Sequence, residues 1–119
     1  MIGIHGQLLM ITAAIHVLFG LMPSIYLHDW KEFFKKGLWN QVFITDDRKV
    51  ASFWFVMAGP LFFTIGLLIY EIEVQGMKLP VSIGWSILAT SLVGVVLCPK
   101  SGFTIFILPQ AIFYLFKAL

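Results

Sequence analysis

Two histidines lie inside the first apolar stretch of the sequence, HGQLLMITAAIH, at positions 5 and 16. In an α-helix, His5 and His16 lie within about 20° of each other around the axis and roughly 16 Å apart along it. A helix in a bilayer turns polar side chains toward protein rather than lipid, so we expect both rings to face the interior. Imidazoles in such a place can bind a ligand, carry a proton, or hold helices together by hydrogen bonds.

Other polar side chains join this face if neighbouring helices run antiparallel. Thr12 lies on the histidine face, while Thr90 and Gln110 come from later helices at the depth of His16. Tyr114 lies nearer the outer end, with His5. The predicted ligand-binding or polar cluster therefore comprises His16, Thr12, Thr90, Gln110, His5 and Tyr114. For His16 we keep both a ligand or proton site and simple interhelical bonding, whereas for His5 the structural role is favoured.

The composition is that of a membrane protein. Of the 119 residues, 60% are hydrophobic and 12% are charged, against about 25% charged in soluble domains. The net charge of +2 is small and scattered, which argues against a nucleic-acid partner. The single cysteine, Cys98, excludes an intrachain disulfide and any CxxC motif.

Four apolar stretches without central charges have the length of membrane spans. A bilayer core of about 30 Å requires roughly 20 apolar residues in a helix. The stretches cover about residues 2–27, 50–70, 80–97 and 102–118. We therefore predict an all-α fold: an antiparallel bundle of four transmembrane helices forming one domain over residues 1–119. The first stretch has neither a basic segment before it nor a cleavage site after it, so we expect it to be retained.

The segment DWKEFFKKG, residues 29–37, is the only charged stretch of any length. Its aromatic and charged residues separate onto two sides of a helix, and Asp29 and Glu32 have the spacing of a capping box. We predict a short amphipathic helix on the membrane surface, with an ordinary connector as the alternative. Six Lys and Arg residues fall on the side of the membrane where this segment lies and two on the other side, which predicts cytoplasmic basic loops and both termini outside.

Small residues predict where the helices touch. Ser52, Gly59 and Gly66 recur every seven residues, as do Ala51 and Ala58, which favours close helix packing. The third span has two faces of small or polar residues and is expected to contact two neighbours: Ser82, Ser86 and Ala89 on one face, and Gly84, Ser91 and Cys98 on the other. The fourth span has one such face: Thr104, Ala111, Tyr114 and Ala118. Pro60 and Pro109 each remove a backbone hydrogen bond, which favours kinks in the second and fourth spans.

No catalytic constellation or metal site is predicted. The sequence has no HExxH, GxSxG, P-loop or paired carboxylates. Haem held within one chain needs histidines on two facing helices, but His5 and His16 share one helix, so such a site would require a dimer. We therefore predict no catalytic residue and no cofactor.

The motifs GIHG…HVLFG, SFWFVMAGPLFFTIGLLI and GVVLCPKSGFTIFILPQAIFYL resemble small bacterial four-helix membrane proteins of the broad DoxX-like kind. The resemblance spans nearly the whole chain. It implies a four-helix inner-membrane protein and no particular activity. Small multidrug exporters are similar in size, but the acidic residue within their first helix has no counterpart here.

These observations favour a non-enzymatic integral membrane protein. We expect its inward polar face to bind a lipophilic small molecule or a membrane-protein partner, with a homo-oligomer as one form of the latter. The alternatives are a membrane-embedded enzyme or redox or haem protein using His5 and His16, or a small transporter subunit.

Overall fold

The computed structural model describes residues 2–36 and 47–119, except for the side chain of Phe103. These residues form helices and turns and contain no strand, which confirms the all-α fold. The described helices are α1 (Ile4–Gly20), α2 (Leu27–Lys35), α3 (Asp47–Val74), α4 (Val81–Leu97) and α5 (Leu108–Ala118). A π-helical turn, Phe103–Ile107, leads directly into α5.

Proline and glycine account for several helix ends. Helix α1 ends at Gly20, before the expected bound at residue 27, because Pro23 has no N–H to continue the helix. Gly76 follows α3 with a φ of 70°, a left-handed conformation that glycine adopts without strain. Pro80 is the N-cap residue of α4, as its fixed φ favours.

The π-helical turn follows from Pro109. Proline lacks the N–H that would bond the carbonyl of Ile105, so the regular i to i+4 pattern cannot continue through this turn. Thr104 Oγ1 donates a 2.7 Å hydrogen bond to the carbonyl of Pro99 at the start of the same segment. The kink predicted at Pro109 thus takes the form of a widened turn.

The described chain divides into two compact units. The first unit comprises Met1–Met10 and Ile65–Leu119, and the second comprises Ile11–Thr64. Helices α1 and α3 therefore each contribute one half to both units. The buried core of the first unit contains Leu9, Ile69, Leu79, Ile107, Tyr114 and Ala118.

Ser52, Gly59 and Gly66 of the predicted small-residue seam of α3 are buried, whereas Ala51 is exposed. In the second unit Ser52 is fully buried, and Gly59 packs against Val17 and the carbonyl of Ala13 of α1. In the first unit a Cβ on Gly66 would come within 2.9 Å of the backbone nitrogen of Met10. Both halves of α3 thus approach α1 closely because the contact residues are small.

One described helix, α3, is long and apolar enough to cross a bilayer, judged by length and composition. It has 28 residues, and 28% of its apolar window is buried. Three shorter apolar helical stretches cover Ile4–Gly20, Val81–Leu97 and Thr104–Ala118.

Candidate functional site

His5 lies in the first turn of α1 and is buried, with 6% of its surface exposed. Its ring centroid is 4.5 Å from that of Phe113 and 5.5 Å from that of Tyr114, both on α5. The His5 ring therefore packs against two aromatic side chains of α5.

Glu73, near the end of α3, caps the start of α1. Its Oε1 accepts the backbone N–H of His5 at 3.3 Å, and its Oε2 accepts that of Gly6 at 3.0 Å. These N–H groups belong to the first turn, where no intrahelical acceptor exists and where the helix dipole favours a negative charge. The sequence alone did not predict this role of Glu73.

Tyr114 joins α5 to the start of α4. Its hydroxyl donates a 3.1 Å hydrogen bond to the carbonyl of Pro80, and its side chain is buried. His5, Gln110 and Tyr114, three of the six predicted site residues, line one small cavity of about 10 Å³. The rest of the lining is apolar: Leu8, Leu9, Ile69 and Ile87.

His16 and Thr12 belong to the second unit. The His16 Nε2–H donates a 2.7 Å hydrogen bond to the carbonyl of Phe55 on α3. A carbonyl has two lone pairs, so this bond can coexist with the helical one. The His16 ring also stacks on the ring of Phe55 at 4.2 Å, with an interplanar angle of 21°. Thr12 is buried.

Thr90 lies on an exposed face of α4, and its hydroxyl donates to the carbonyl of Ser86 in the same helix at 2.9 Å. A threonine can satisfy its hydroxyl in this way without a partner helix. The face was predicted to contact a neighbouring helix through Ser82, Ser86 and Ala89, and all three are exposed. The opposite stripe of α4 is buried at Gly84 and Ser91.

An open groove of about 670 Å³ runs along this exposed face toward the end of α4. Most of its surface is apolar, and the lining residues with polar side chains are Thr90, Cys98 and Ser101. It is lined by Ala89, Thr90, Val93, Gly94, Leu97, Cys98 and Ser101. The sequence placed Thr90 in an inward cluster and did not predict this groove.

Ion pairs connect α2 with the start of α3. The predicted capping box is wrong, because α2 begins at Leu27 and Tyr26 is its N-cap residue, without a side-chain cap bond. Asp29 instead lies in the first turn, is 3% exposed, and has its Oδ2 3.3 Å from Arg48 Nε. Its carboxylate is buried because α3 supplies a cation to face it.

Glu32 forms a second pair at the same junction. Its Oε2 lies 2.7 Å from the Nζ of Lys49, and its Oε1 lies 3.7 Å from the His28 ring. The hydrogen bond and positive charge of Lys49 hold the pKa of the Glu32 carboxyl below its usual value, and Lys36 and His28 act in the same direction. The junction therefore favours the ionised form of Glu32.

Within residues 2–36 and 47–119, no three His, Cys, Asp or Glu side chains are grouped so that they could hold a metal ion. The described residues therefore define an all-helical protein with several apolar helices. Its two characteristic features are a buried histidine packed against aromatic rings and a group of ion pairs between an amphipathic helix and α3. Residues 3–118 match a family of unknown function, DUF6463, and the chain belongs to that family. No curated protein and no solved structure matches the chain.

Proposed function

We propose that this chain is a multi-pass bacterial inner-membrane protein that binds a lipophilic small molecule and is not an enzyme. In this proposal α1, α3, α4, and the π-helical turn with α5 each cross the bilayer, and α2 lies on its cytoplasmic surface. The resemblance to DoxX-like proteins stays a prediction consistent with this arrangement.

Exposed apolar side chains support the membrane location. A soluble monomer rarely exposes contiguous apolar patches of more than a few hundred Å², yet each of the four apolar helices here exposes large aliphatic or aromatic side chains. They include Ile11, Leu18, Leu61, Leu68, Val96, Leu97, Ile105 and Phe116.

The burial of α3 points in the same direction. The core helix of a soluble protein would be mostly buried, whereas 28% of the apolar window of α3 is. The three shorter helical stretches are compatible with spanning, because 17 residues rise roughly 25 Å and a bilayer thins locally around a short span.

The orientation is proposed from the distribution of basic residues. Lys31, Lys35, Lys36, Arg48 and Lys49 flank the second expected span, and Lys100 joins α4 to the next helical segment. The positive-inside rule then puts these residues in the cytoplasm and both termini outside.

The groove along α4 is the single observation that carries the binding proposal. The groove is open along one side, and its volume of about 670 Å³ is large enough for a ligand of the size that small-molecule sites hold, about 300–1,000 Å³. Its lining is apolar with a few polar groups, the usual composition of such sites. The cavity at His5 measures about 10 Å³, close to what one water molecule needs, so it does not accommodate a lipophilic ligand.

The same contacts favour structural roles for the histidines over haem ligation. One ring nitrogen of His16 bonds the carbonyl of Phe55, and the ring lies flat on that of Phe55. The His5 ring is enclosed by α5 beside a cavity far smaller than a haem. Both rings thus make the contacts expected of residues that hold helices together.

Cysteine accessibility in whole cells tests the membrane arrangement. In a Cys98→Ser background, Lys31→Cys and Lys78→Cys each add one thiol on opposite sides of the proposed membrane. We expect an impermeant maleimide to label the second in intact cells and the first only after cell lysis. Labelling of both, or of neither, in intact cells would contradict the proposed orientation.

Two matched substitutions test the groove. Val93 and Val96 are both exposed on α4, but only Val93 lines the groove. We expect Val93→Phe to fill the groove and remove a lipophilic molecule that co-purifies with the wild type, as measured by native mass spectrometry, while Val96→Phe retains it. If Val93→Phe instead converts a dimer to a monomer, the occupant is a neighbouring helix and the small-molecule proposal is wrong.

A further inference from the structure

We propose that the exposed face of α2 binds the phosphate headgroup of an anionic phospholipid through Lys31 and Lys35, with Phe34 contacting the acyl region. This inference rests on the proposed membrane location of the chain. It assigns to α2 a lipid preference that surface attachment alone does not require.

The acidic residues of α2 are already neutralised from the other side. Asp29 faces Arg48 of α3 at 3.3 Å, and Glu32 contacts Lys49 of α3 at 2.7 Å. Both anions of the helix therefore pair with cations of the neighbouring helix. The positive charge that remains on α2 belongs to lysines on its exposed side.

Lys31 and Lys35 carry that outward charge. Both are exposed, and neither ammonium group makes an ion pair or hydrogen bond with any residue of the described ranges, 2–36 and 47–119. Residues four apart on a helix have Cβ atoms about 5–6 Å apart, so both ammonium groups can reach a single phosphate. An anionic group is the partner that such a pair of cations complements.

The exposure of Phe34 favours a lipid over a free phosphate as the ligand. Its side chain is 66% exposed beside the two lysines, whereas the adjacent Phe33 is buried. Trp30 also flanks this side and donates its Nε1–H to the carbonyl of Ser52 at 3.4 Å. Buried Phe33 and bonded Trp30 fix the rotation of α2, so Phe34 is held outward, where only an apolar partner stabilises it.

Competition between lipids tests this inference. The full chain in detergent is offered equal amounts of phosphatidylglycerol and phosphatidylethanolamine, and bound lipids are counted by native mass spectrometry. We expect the wild type to prefer phosphatidylglycerol. In the double variant Lys31→Gln/Lys35→Gln, the preference should fall about fivefold for each of the two lysines. The reason is that each basic residue near an anionic membrane surface contributes on the order of 1 kcal/mol of binding free energy.

A matched double variant controls for net charge. Lys78→Gln/Lys117→Gln removes the same charge from residues assigned to the opposite side, and it should retain the wild-type preference. Raising the salt concentration should reduce the preference, because exposed charges are screened. Excess inorganic phosphate should not displace the lipid, since phosphate lacks the chain that Phe34 contacts.

Two results would overturn the inference. One is an equal loss of preference in both double variants, and the other is displacement of the lipid by inorganic phosphate. Carbonate extraction of membranes from expressing cells separates these outcomes from failure of the proposed function. A chain released by carbonate is not integral, whereas a retained chain without lipid preference leaves the membrane location intact and contradicts only the role of Lys31 and Lys35.

Discussion

At the scale of single residues, Glu73 makes the most specific contact of the first unit. Each of its carboxylate oxygens accepts one N–H of the first turn of α1, from His5 and from Gly6. A charged acceptor bonded to helix N–H groups is stronger than a neutral one. Glu73 therefore fixes where α1 begins relative to the end of α3 within this unit.

Replacing Glu73 with alanine should lower the free energy of unfolding by about 1–2 kcal/mol, because two N–H groups lose their acceptor. Glu73→Gln keeps one carbonyl oxygen and should lose less. The control is Glu71→Ala, because Glu71 is exposed and its side chain makes no hydrogen bond or ion pair with the described residues. Equal unfolding midpoints for Glu73→Ala and Glu71→Ala in denaturant titrations in micelles would refute the capping role.

His16 combines a hydrogen bond and a ring stack on one partner, Phe55. Interhelical hydrogen bonds in membrane proteins average about 0.6 kcal/mol, and aromatic pairs contribute about 0.5–1.5 kcal/mol. We expect His16→Leu to lose both contributions and His16→Phe to lose only the first. Thermal unfolding of the two variants checks this order, and a Phe variant less stable than the Leu variant would contradict it.

At the scale of helices, glycine determines how closely α1 and α3 approach in the first unit. A Cβ on Gly6 would overlap the backbone of Tyr70 and lie 2.5 Å from the carbonyl oxygen of Gly66. Backbone atoms cannot move aside as a flexible side chain can. The short distance between these helices thus depends on a hydrogen atom at position 6 rather than a methyl group.

Gly6→Ala should therefore destabilise the protein by about 1–3 kcal/mol or more, the usual cost of overpacking. Gly102→Ala is the matched control, because a Cβ there would meet only the ring of Phe106 at an ordinary 3.6 Å. Denaturant unfolding of both variants measures the difference. A Gly6→Ala protein as stable as Gly102→Ala would show that the helices can separate without cost.

The junction of α2 with α3 is expected to respond to acid. The pKa of Glu32 is lowered in the folded chain by Lys49, so the ionised carboxylate stabilises the fold at pH values above the unfolded pKa of about 4.5. That stabilisation is lost as the pH falls through the lower folded value. Thermal midpoints measured down through about pH 4 should fall more for the wild type than for Glu32→Gln; parallel curves would exclude the pairing.

At the scale of the whole chain, apolar exposure and the placement of charge support the same proposal. Large apolar side chains are exposed on α1, α3, α4 and α5, while the ion pairs of the described residues lie at α2 and the start of α3. A bilayer solvates the first set, and its aqueous surface solvates the second.

Hydrogen exchange in lipid nanodiscs distinguishes four spans from one. If four helical segments cross the bilayer, the central amides of α1, α4 and α5 should exchange as slowly as those of α3, because water is scarce in the hydrocarbon region. Amides of α2 should exchange faster. Exchange in α1, α4 and α5 as fast as in α2 would leave α3 as a solitary span, and fast exchange in any one of them would contradict the proposed four spans.

The sequence alone determined the helical class and most of the buried faces of α1, α3 and α5, whereas on α4 the predicted contact face of Ser82, Ser86 and Ala89 is exposed. His5, Thr12 and Gly20 of α1 are buried while Ile11, Ile15 and Leu18 are exposed, as the helical period predicted. Leu8 was predicted on the same outward side but is half-buried and lines the cavity at His5. The seam of Ser52, Gly59 and Gly66 and the inward face of Ala111, Tyr114 and Ala118 were also predicted and are buried. Periodicity suffices here because it is a local property: residues that share a face of one helix share an environment.

The tertiary structure decided which side chains meet. Glu73 caps α1 across 68 positions of sequence, Asp29 is buried against Arg48 instead of capping α2, and Thr90 bonds its own helix on an exposed face. Three of the six predicted site residues share one cavity. Helical wheels give the direction of a side chain but not the rotation and offset of the neighbouring helix, and packing of side chains between helices sets those two quantities.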